Sequence, residues 1–475
     1  MNLTLNKTVL SYFILCFLFL SGLGIALGGL FIPFVFVVEG AFLGILLFNK
    51  KVLMDIIQLI RKTPFLYFVL FLVWATITVI ISVIRGSFYT NSFFFSYVGG
   101  LIFSVTAPIV ISYLVNKKAL STNLFIKLYL FIYVIIFSVG LAEMALRFIN
   151  TDIANLFISI FNNKRIALAG LNASDLTINS MRIRSIFEEP SAFGGFIYLN
   201  VPIIYSLCTS KYNIFKNKTL NKLIKIGLPI LTFLNLIFTK SPMTLIFVLI
   251  ITFFYFYKSL FKVIVKKPLL SLSVFFGAIL ITLLGCFIDA EIYNVDLRTS
   301  YIQRIFSTIP ALYSLNALID AEPSLATRVI NYLNSLQVFA QHPVLGIGYG
   351  NMSRYMVIQI QNSTLPMTYE LWLNLELGTG TVASAIFYRV LAETGLIGFI
   401  FLYTFMFKTF LLNKKLLTLA TGLEKDFLKG INAYLIVFMT FVCFYGSNLH
   451  TTYYWLFFGF VFAYKFKMKN GKRGS

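Results

Sequence analysis

Twelve stretches of this chain are apolar over roughly the 20 residues that one helix needs to cross the hydrocarbon of a bilayer, and no other feature restricts the fold as much. They fall at about 10–30, 32–48, 64–84, 96–115, 122–146, 191–208, 223–239, 242–257, 268–288, 384–407, 430–447 and 451–466. In lipid a backbone N–H or C=O has only its own chain to bond with, so spans of this length are helices. The expected fold is an all-α polytopic integral membrane protein with about 12 transmembrane helices. Composition agrees: only 12% of the 475 residues are charged, about half the roughly 25% of soluble domains. A mean hydropathy of +0.87 leaves more apolar residues than one core can hide, which excludes a water-soluble enzyme. The first run is too long for a removable signal peptide and lacks a small-residue cleavage site, so a retained anchor is expected. Cys16, Cys208, Cys286 and Cys443 sit in or beside apolar runs without metal-like spacing, and read as small core residues.

Charge orders the loops. With both termini on one side, that side carries 27 of the 39 Lys and Arg against three acids, Asp55, Glu424 and Asp426, the bias that marks a cytoplasmic face. The net charge of +22 is then a topology signal with some attraction to anionic membrane lipid, and requires no nucleic acid. The type of cation is more telling. Among the lysines only Lys164 and Lys240 fall outside, yet ten of the twelve arginines do: Arg85, Arg147, Arg165, Arg182, Arg184, Arg298, Arg304, Arg328, Arg354 and Arg389. A guanidinium grips phosphate through two parallel hydrogen bonds and stays charged. As a set these residues point to an outward-facing anionic site, although each alone could pair with a loop acid.

Two outer connections, 147–190 and 289–383, are far longer than a link between spans needs, and such loops tend to be functional. In the second, Leu325, Val329, Leu333, Leu336 and Phe339 recur at a helical period. Ser324 is placed to cap that helix, and the opposite stripe carries Arg328, Asn331 and Ser335. Three segments concentrate the chemistry. Arg182-Ile-Arg-Ser-Ile-Phe-Glu-Glu-Pro-Ser191 ends the first long loop, and Pro190 opens a helix whose N-terminus favours an anion. His342-Pro-Val-Leu-Gly-Ile-Gly-Tyr-Gly-Asn351 follows the Arg328 helix; its glycines let backbone amides approach a ligand, or simply let a tight loop pack. Arg389 and Glu393 lie four apart in the tenth span, where charge is costly and marks either function or mutual neutralisation.

These segments resemble, in order, those of the O-antigen polymerase/ligase family, polytopic glycosyltransferases that act on polyprenyl-diphosphate-linked glycans. The likeness rests on the R…S-x-F-x-E-P-S run, the S-x-x-x-R helix leading into H-P-x-x-G-x-G-x-G-N, and the A-E-T-G-L-I-G ending. Arg184 and Gly195 also fit the R-x(10)-G spacing of Wzy-type polymerases. Where the ligases carry a histidine before Gly-x-x-Gly, this chain has Ser384 and Ala385 ahead of Gly395 and Gly398, which favours polymerase over ligase.

The resemblance implies a GT-C-like arrangement in the bacterial inner (cytoplasmic) membrane with its active site facing the periplasm. It divides the chain into transmembrane helices 1–5 (1–146), a first periplasmic loop (147–190), helices 6–9 (191–288), a second periplasmic loop (289–383) containing short helices, helices 10–12 (384–466) and a cytoplasmic tail (467–475). Donor and acceptor are expected to be undecaprenyl-diphosphate-linked repeat units. A chain-length regulator and a flippase are partners implied by the family, without cofactor or metal, and with inversion at the sugar carbon. Arg182, Arg184, Arg328 and Arg389 are the candidates for holding the departing diphosphate. Glu189, Glu393 and His342 are the candidates for the base; His450 reads as a surface or cavity-lining residue. A ligase acting on lipid A core and a flippase for the same lipid remain rivals, the latter supported by Glu39 inside the second span.

Overall fold

The computed structural model describes residues 24–27, 30–33, 50–86, 108–112, 121–159, 183–187, 190–239, 310–376, 385–444 and 452–471, with positions 40, 44, 106 and 248. After a hairpin of β1 (Gly24–Leu27) and β2 (Leu30–Pro33) come α1 (Lys50–Lys62), α2 (Phe65–Ile84), α3 (Thr122–Ile149), α4 (Thr151–Ser159), α5 (Pro190–Cys208) and α6 (Lys218–Phe238). Four short elements follow: α7 (Leu315–Ala321), α8 (Pro323–Gln341), α9 (Met352–Gln361) and α10 (Tyr369–Glu376). The chain continues through α11 (Ile386–Leu417), α12 (Gly422–Phe444), a 3₁₀ turn at Thr452–Trp455 and α13 (Leu456–Gly471).

Among the described residues five helices, α2, α3, α6, α11 and α12, are long and apolar enough to cross a membrane, and α5 and α13 are shorter apolar helices. All seven coincide with expected spans. Their starts follow local chemistry: the side chains of Ser121 and Asn217 accept from the N–H groups of Leu124 and Leu220 at the heads of α3 and α6, satisfying donors that no helical turn can reach. The hairpin replaces the end of the first expected span, where Gly24, Gly28 and Gly29 are poor helix formers. The expected spans near 32–48, 96–115, 242–257 and 268–288 lie wholly or largely outside the described residues, as does Glu39.

Packing is closest where side chains are small. A Cβ on Gly430 of α12 would lie 2.8 Å from the Ile203 Cα of α5, and these two helices make the most extensive pair; without water to squeeze out, such close approach is what holds membrane helices together. Aromatic rings fill the rest. Phe68 of α2, Phe405 of α11, Phe438 of α12 and Trp455 and Phe458 near α13 form one continuous buried cluster.

The second long connection is built on α8, and here one expectation is corrected. The helix starts at Pro323, with Glu322 rather than Ser324 at the cap position, because proline suits the first helical turn, where its missing N–H costs nothing. Thr327, Asn331, Asn334 and Ser335 are buried with Ala326, Ile330 and Val338, while Leu333 and Leu336 of the apolar stripe are 36% and 38% exposed. The polar stripe turns into the protein, where Thr327 meets Thr368 and Ser335 meets Met356 of α9.

Candidate functional site

Helix α11 is broken. Gly395 has φ 65° and ψ −171°, a conformation open in practice to glycine alone, so the helical hydrogen bonds across it cannot form. Loop 343–348 and α2 fill the gap. The Ala392 and Glu393 carbonyls accept from the N–H groups of Ile347 and Gly348, both at 2.9 Å, and the Thr394 carbonyl accepts from Trp74 Nε1 at 2.8 Å. In return the Leu396 N–H donates to the Pro343 carbonyl at 2.9 Å. Ser82 Oγ donates to the Ile347 carbonyl at 2.8 Å and the Tyr349 N–H to Thr78 Oγ1 at 3.4 Å, so Trp74, Thr78 and Ser82, one turn apart on α2, form a polar seam against α11 and the turn that fills its break. Irregular backbone at membrane depth persists only where protein satisfies it in this way.

This settles what the glycine-rich turn does. A Cβ on Gly346 would meet the Glu393 carbonyl at 2.5 Å, and one on Gly348 would meet Ser82 Oγ at 2.3 Å. Both glycines exist for packing. Only Gly350, with φ 91° and nothing within 4 Å of its Cβ position, leaves open space.

Behind the turn lies Glu393, fully buried. Its Oε1 accepts the Met352 N–H at 3.2 Å and lies 3.2 Å from Arg389 Nε. His342 ends α8 and meets the Tyr355 ring edge-on at 6.0 Å. Partial burial, and then the nearby Arg85 guanidinium, hold the imidazole below its ordinary value. The folded protein therefore binds fewer protons here than the unfolded chain. The stability this residue contributes is present above the usual histidine value of about 6.5 and is lost as pH falls through the lowered one. Between pH 7.5 and 5 the thermal midpoint of the native protein is expected to fall more steeply than that of His342→Gln; parallel curves would contradict this.

Arg328 lies one turn before Tyr332, whose ring stacks on Tyr388 at 4.5 Å, and Tyr388 immediately precedes Arg389. Arg328 near the start of α8 and His342 at its end thus flank the stretch that packs on α11, while Arg389 and Glu393 sit one turn apart on α11 itself. Beside them Thr327 and Thr368 share a 2.7 Å hydroxyl hydrogen bond. Asn334 buries both amide atoms with no hydrogen-bond partner among the described residues.

Arg184 belongs to a second group. The turn 183–187 is held by α3 and α6: the Ile183 N–H donates to the Phe238 carbonyl at 3.1 Å, and the Arg184 and Ser185 N–H groups both donate to Glu143 Oε2 at 2.8 Å. Arg147 clasps Glu143 Oε1 through Nε and Nη2 at 3.1 and 2.7 Å. Arg147 therefore serves an internal carboxylate, the outcome open to any single arginine of the outer set. Glu143 was not foreseen, although its i, i+4 spacing to Arg147 is the spacing that drew attention to Arg389 and Glu393. Arg182, Glu189, Ser384 and His450 lie outside the described residues.

The family model described as O-antigen ligase matches residues 228–403, from within α6 to within α11. The match takes in Arg328, His342, Arg389, Glu393 and the break at Gly395, whereas the Arg184 turn precedes it. No curated protein matches the chain. Over residues 228–403 the chain is similar to the O-antigen ligase family, consistent with a member of the O-antigen polymerase/ligase family.

Proposed function

We propose that the protein is an O-antigen polymerase, a membrane glycosyltransferase that extends a glycan carried on undecaprenyl diphosphate at the periplasmic face of the inner membrane. The observation that carries this reading is the match over residues 228–403, because it covers the arginine helix, the clamped turn and the buried pair that the motifs single out.

In the proposed step the anomeric carbon–oxygen bond to the donor diphosphate breaks as a hydroxyl oxygen of the acceptor repeat unit bonds to that carbon from the opposite side, giving inversion. The hydroxyl proton passes to a base, and the lipid diphosphate leaves with the bonding electron pair. Arg182, Arg184, Arg328 and Arg389 stabilise the charge that develops on it, an effect worth several kcal/mol per well-placed donor. Glu393 is committed to Arg389 and the Met352 N–H, which favours a positioning role for it and leaves Glu189 and His342 as base candidates. No metal takes part in this reading. A chain-length regulator and a flippase would act as partners.

A flippase reading draws on the broken helix, since transporters use interrupted spans. Here, however, three carbonyls and one N–H at the break are taken by the protein itself, which favours the enzyme.

The test is to give the purified protein lipid-diphosphate-linked repeat units as sole substrate, without added metal. Longer glycans are expected, with a loss of roughly 10²- to 10³-fold in Arg184→Ala and Arg328→Ala. Conversion only when lipid A core is supplied would show a ligase. Unchanged glycan length with a changed leaflet distribution would show a transporter.

A further inference from the structure

We propose that Glu143 is a positioning residue that presets the Arg184 turn for the donor diphosphate, with Arg147 as its internal counter-ion. This rests on the reading of Arg184 as a diphosphate-binding residue.

The turn cannot hold its own shape. Ser185 has φ 51°, the left-handed region that non-glycine residues keep only when their surroundings impose it. Three groups do so. Ser185 Oγ donates to the Ile136 carbonyl at 2.6 Å, and Glu143 Oε2 receives the two successive N–H groups of Arg184 and Ser185. Two consecutive N–H groups converging on one oxygen form an anion-binding nest, and here the anion is a side chain of the membrane bundle. The two donors on Oε2 and the two from Arg147 on Oε1 fill all four acceptor positions of the carboxylate. Glu143 is fully buried, and Arg147 and Arg184 are nearly so, so no solvent competes for these bonds. Phe187 carries the fixation onward by stacking on Phe193 of α5 at 5.4 Å. The arrangement repeats the one at Glu393, where a buried carboxylate on a membrane helix pairs with an arginine four residues away and accepts a loop N–H. At Glu143 the bonded turn itself carries Arg184, so there the carboxylate sets the turn and the turn sets the arginine.

Two measurements on the full chain in lipid nanodiscs test this: hydrogen exchange over the peptide containing Arg184 and Ser185, and steady-state turnover of lipid-diphosphate-linked repeat units extracted from cells lacking the protein. Glu143→Gln keeps the size and removes the charge. Exchange is expected to speed up at least tenfold. The rate constant kcat should fall by about 10², as in Arg184→Ala, with KM changed far less, because a displaced donor is missed chiefly when charge develops on the leaving group. General destabilisation would instead lower the active fraction and leave the kcat of the folded protein intact. If Glu143→Gln does not fold, Glu143→Gln with Arg147→Met, which leaves no buried charge unpaired, takes its place. Unchanged exchange overturns the proposal, and so does faster exchange with unchanged kcat. If Arg184→Ala itself retains full turnover while Glu143→Gln still loosens the turn, the diphosphate reading is what has failed, and positioning for the donor falls with it.

Discussion

Gly395→Ala is expected to cost more than about 4 kcal/mol, the range reserved for a few severe mechanisms, and to deplete the folded protein. Two effects act together. The backbone at φ 65° and ψ −171° is nearly closed to residues with a Cβ, and that Cβ would stand 2.1 Å from the Val344 carbonyl oxygen. Backbone, unlike a flexible side-chain tip, cannot step aside here, because loop 343–348 is tied to α11 by its own hydrogen bonds. Gly350→Ala is the informative contrast. Its φ of 91° is also unfavourable, but nothing lies within 4 Å of the added carbon, so only the backbone cost of about 1–3 kcal/mol applies. Thermal unfolding of the two variants in the same detergent checks the difference; equal losses would mean that the break is not clamped as described.

Glu393→Ala is expected to cost about 3–5 kcal/mol. It removes the carboxylate that faces Arg389, itself only 4% exposed, and strips the Met352 N–H of its acceptor. Arg389→Met with Glu393→Leu removes both charges together and should recover most of that loss, because a buried ion pair contributes little net stability over an apolar pair of similar size. The double variant also separates structure from chemistry. A well-folded but inactive protein would support a role for Arg389 at the diphosphate, and a well-folded, active one would remove Arg389 and Glu393 from the reaction. A single-variant loss below about 1 kcal/mol, the level of an exposed ion pair, would show that the pair is effectively solvated.

The bundle was readable in the sequence because lipid imposes a simple rule: a helix that crosses it must be apolar for about 20 residues, and α2, α3, α6, α11 and α12 obey it, while α5 and α13 are apolar over a shorter length. The candidate site was readable in residue type more than in arrangement. Arg389 and Glu393 were recognised as a pair because charge inside a span stands out. Glu143 and Arg147 have the same spacing but sit at the end of their span, where Arg147 passed for one more outward arginine. The face that α8 buries was left open for a different reason. Periodicity shows which residues share a stripe, but not which stripe is buried. In a membrane protein the interior can be the more polar side, and Thr327, Asn331, Asn334 and Ser335 are buried accordingly. Spacing alone also gave no means of telling a glycine that admits a ligand from one that admits a carbonyl, and only the positions of Ser82 and Glu393 decide this for Gly348 and Gly346.

The mended break has a consequence for how the chain is assembled. Its partners are far apart in synthesis: Trp74 and Thr394 are separated by 320 positions, and Ser82 and Ile347 by 265. Trp74, Ser82 and the loop all precede α11 in the chain, so the donors that the opened turn needs in hydrocarbon have already been made when α11 is inserted. Closing the break therefore waits on no later part of the chain, and it ties Trp74 on the first described membrane helix to a carbonyl made 320 positions afterwards.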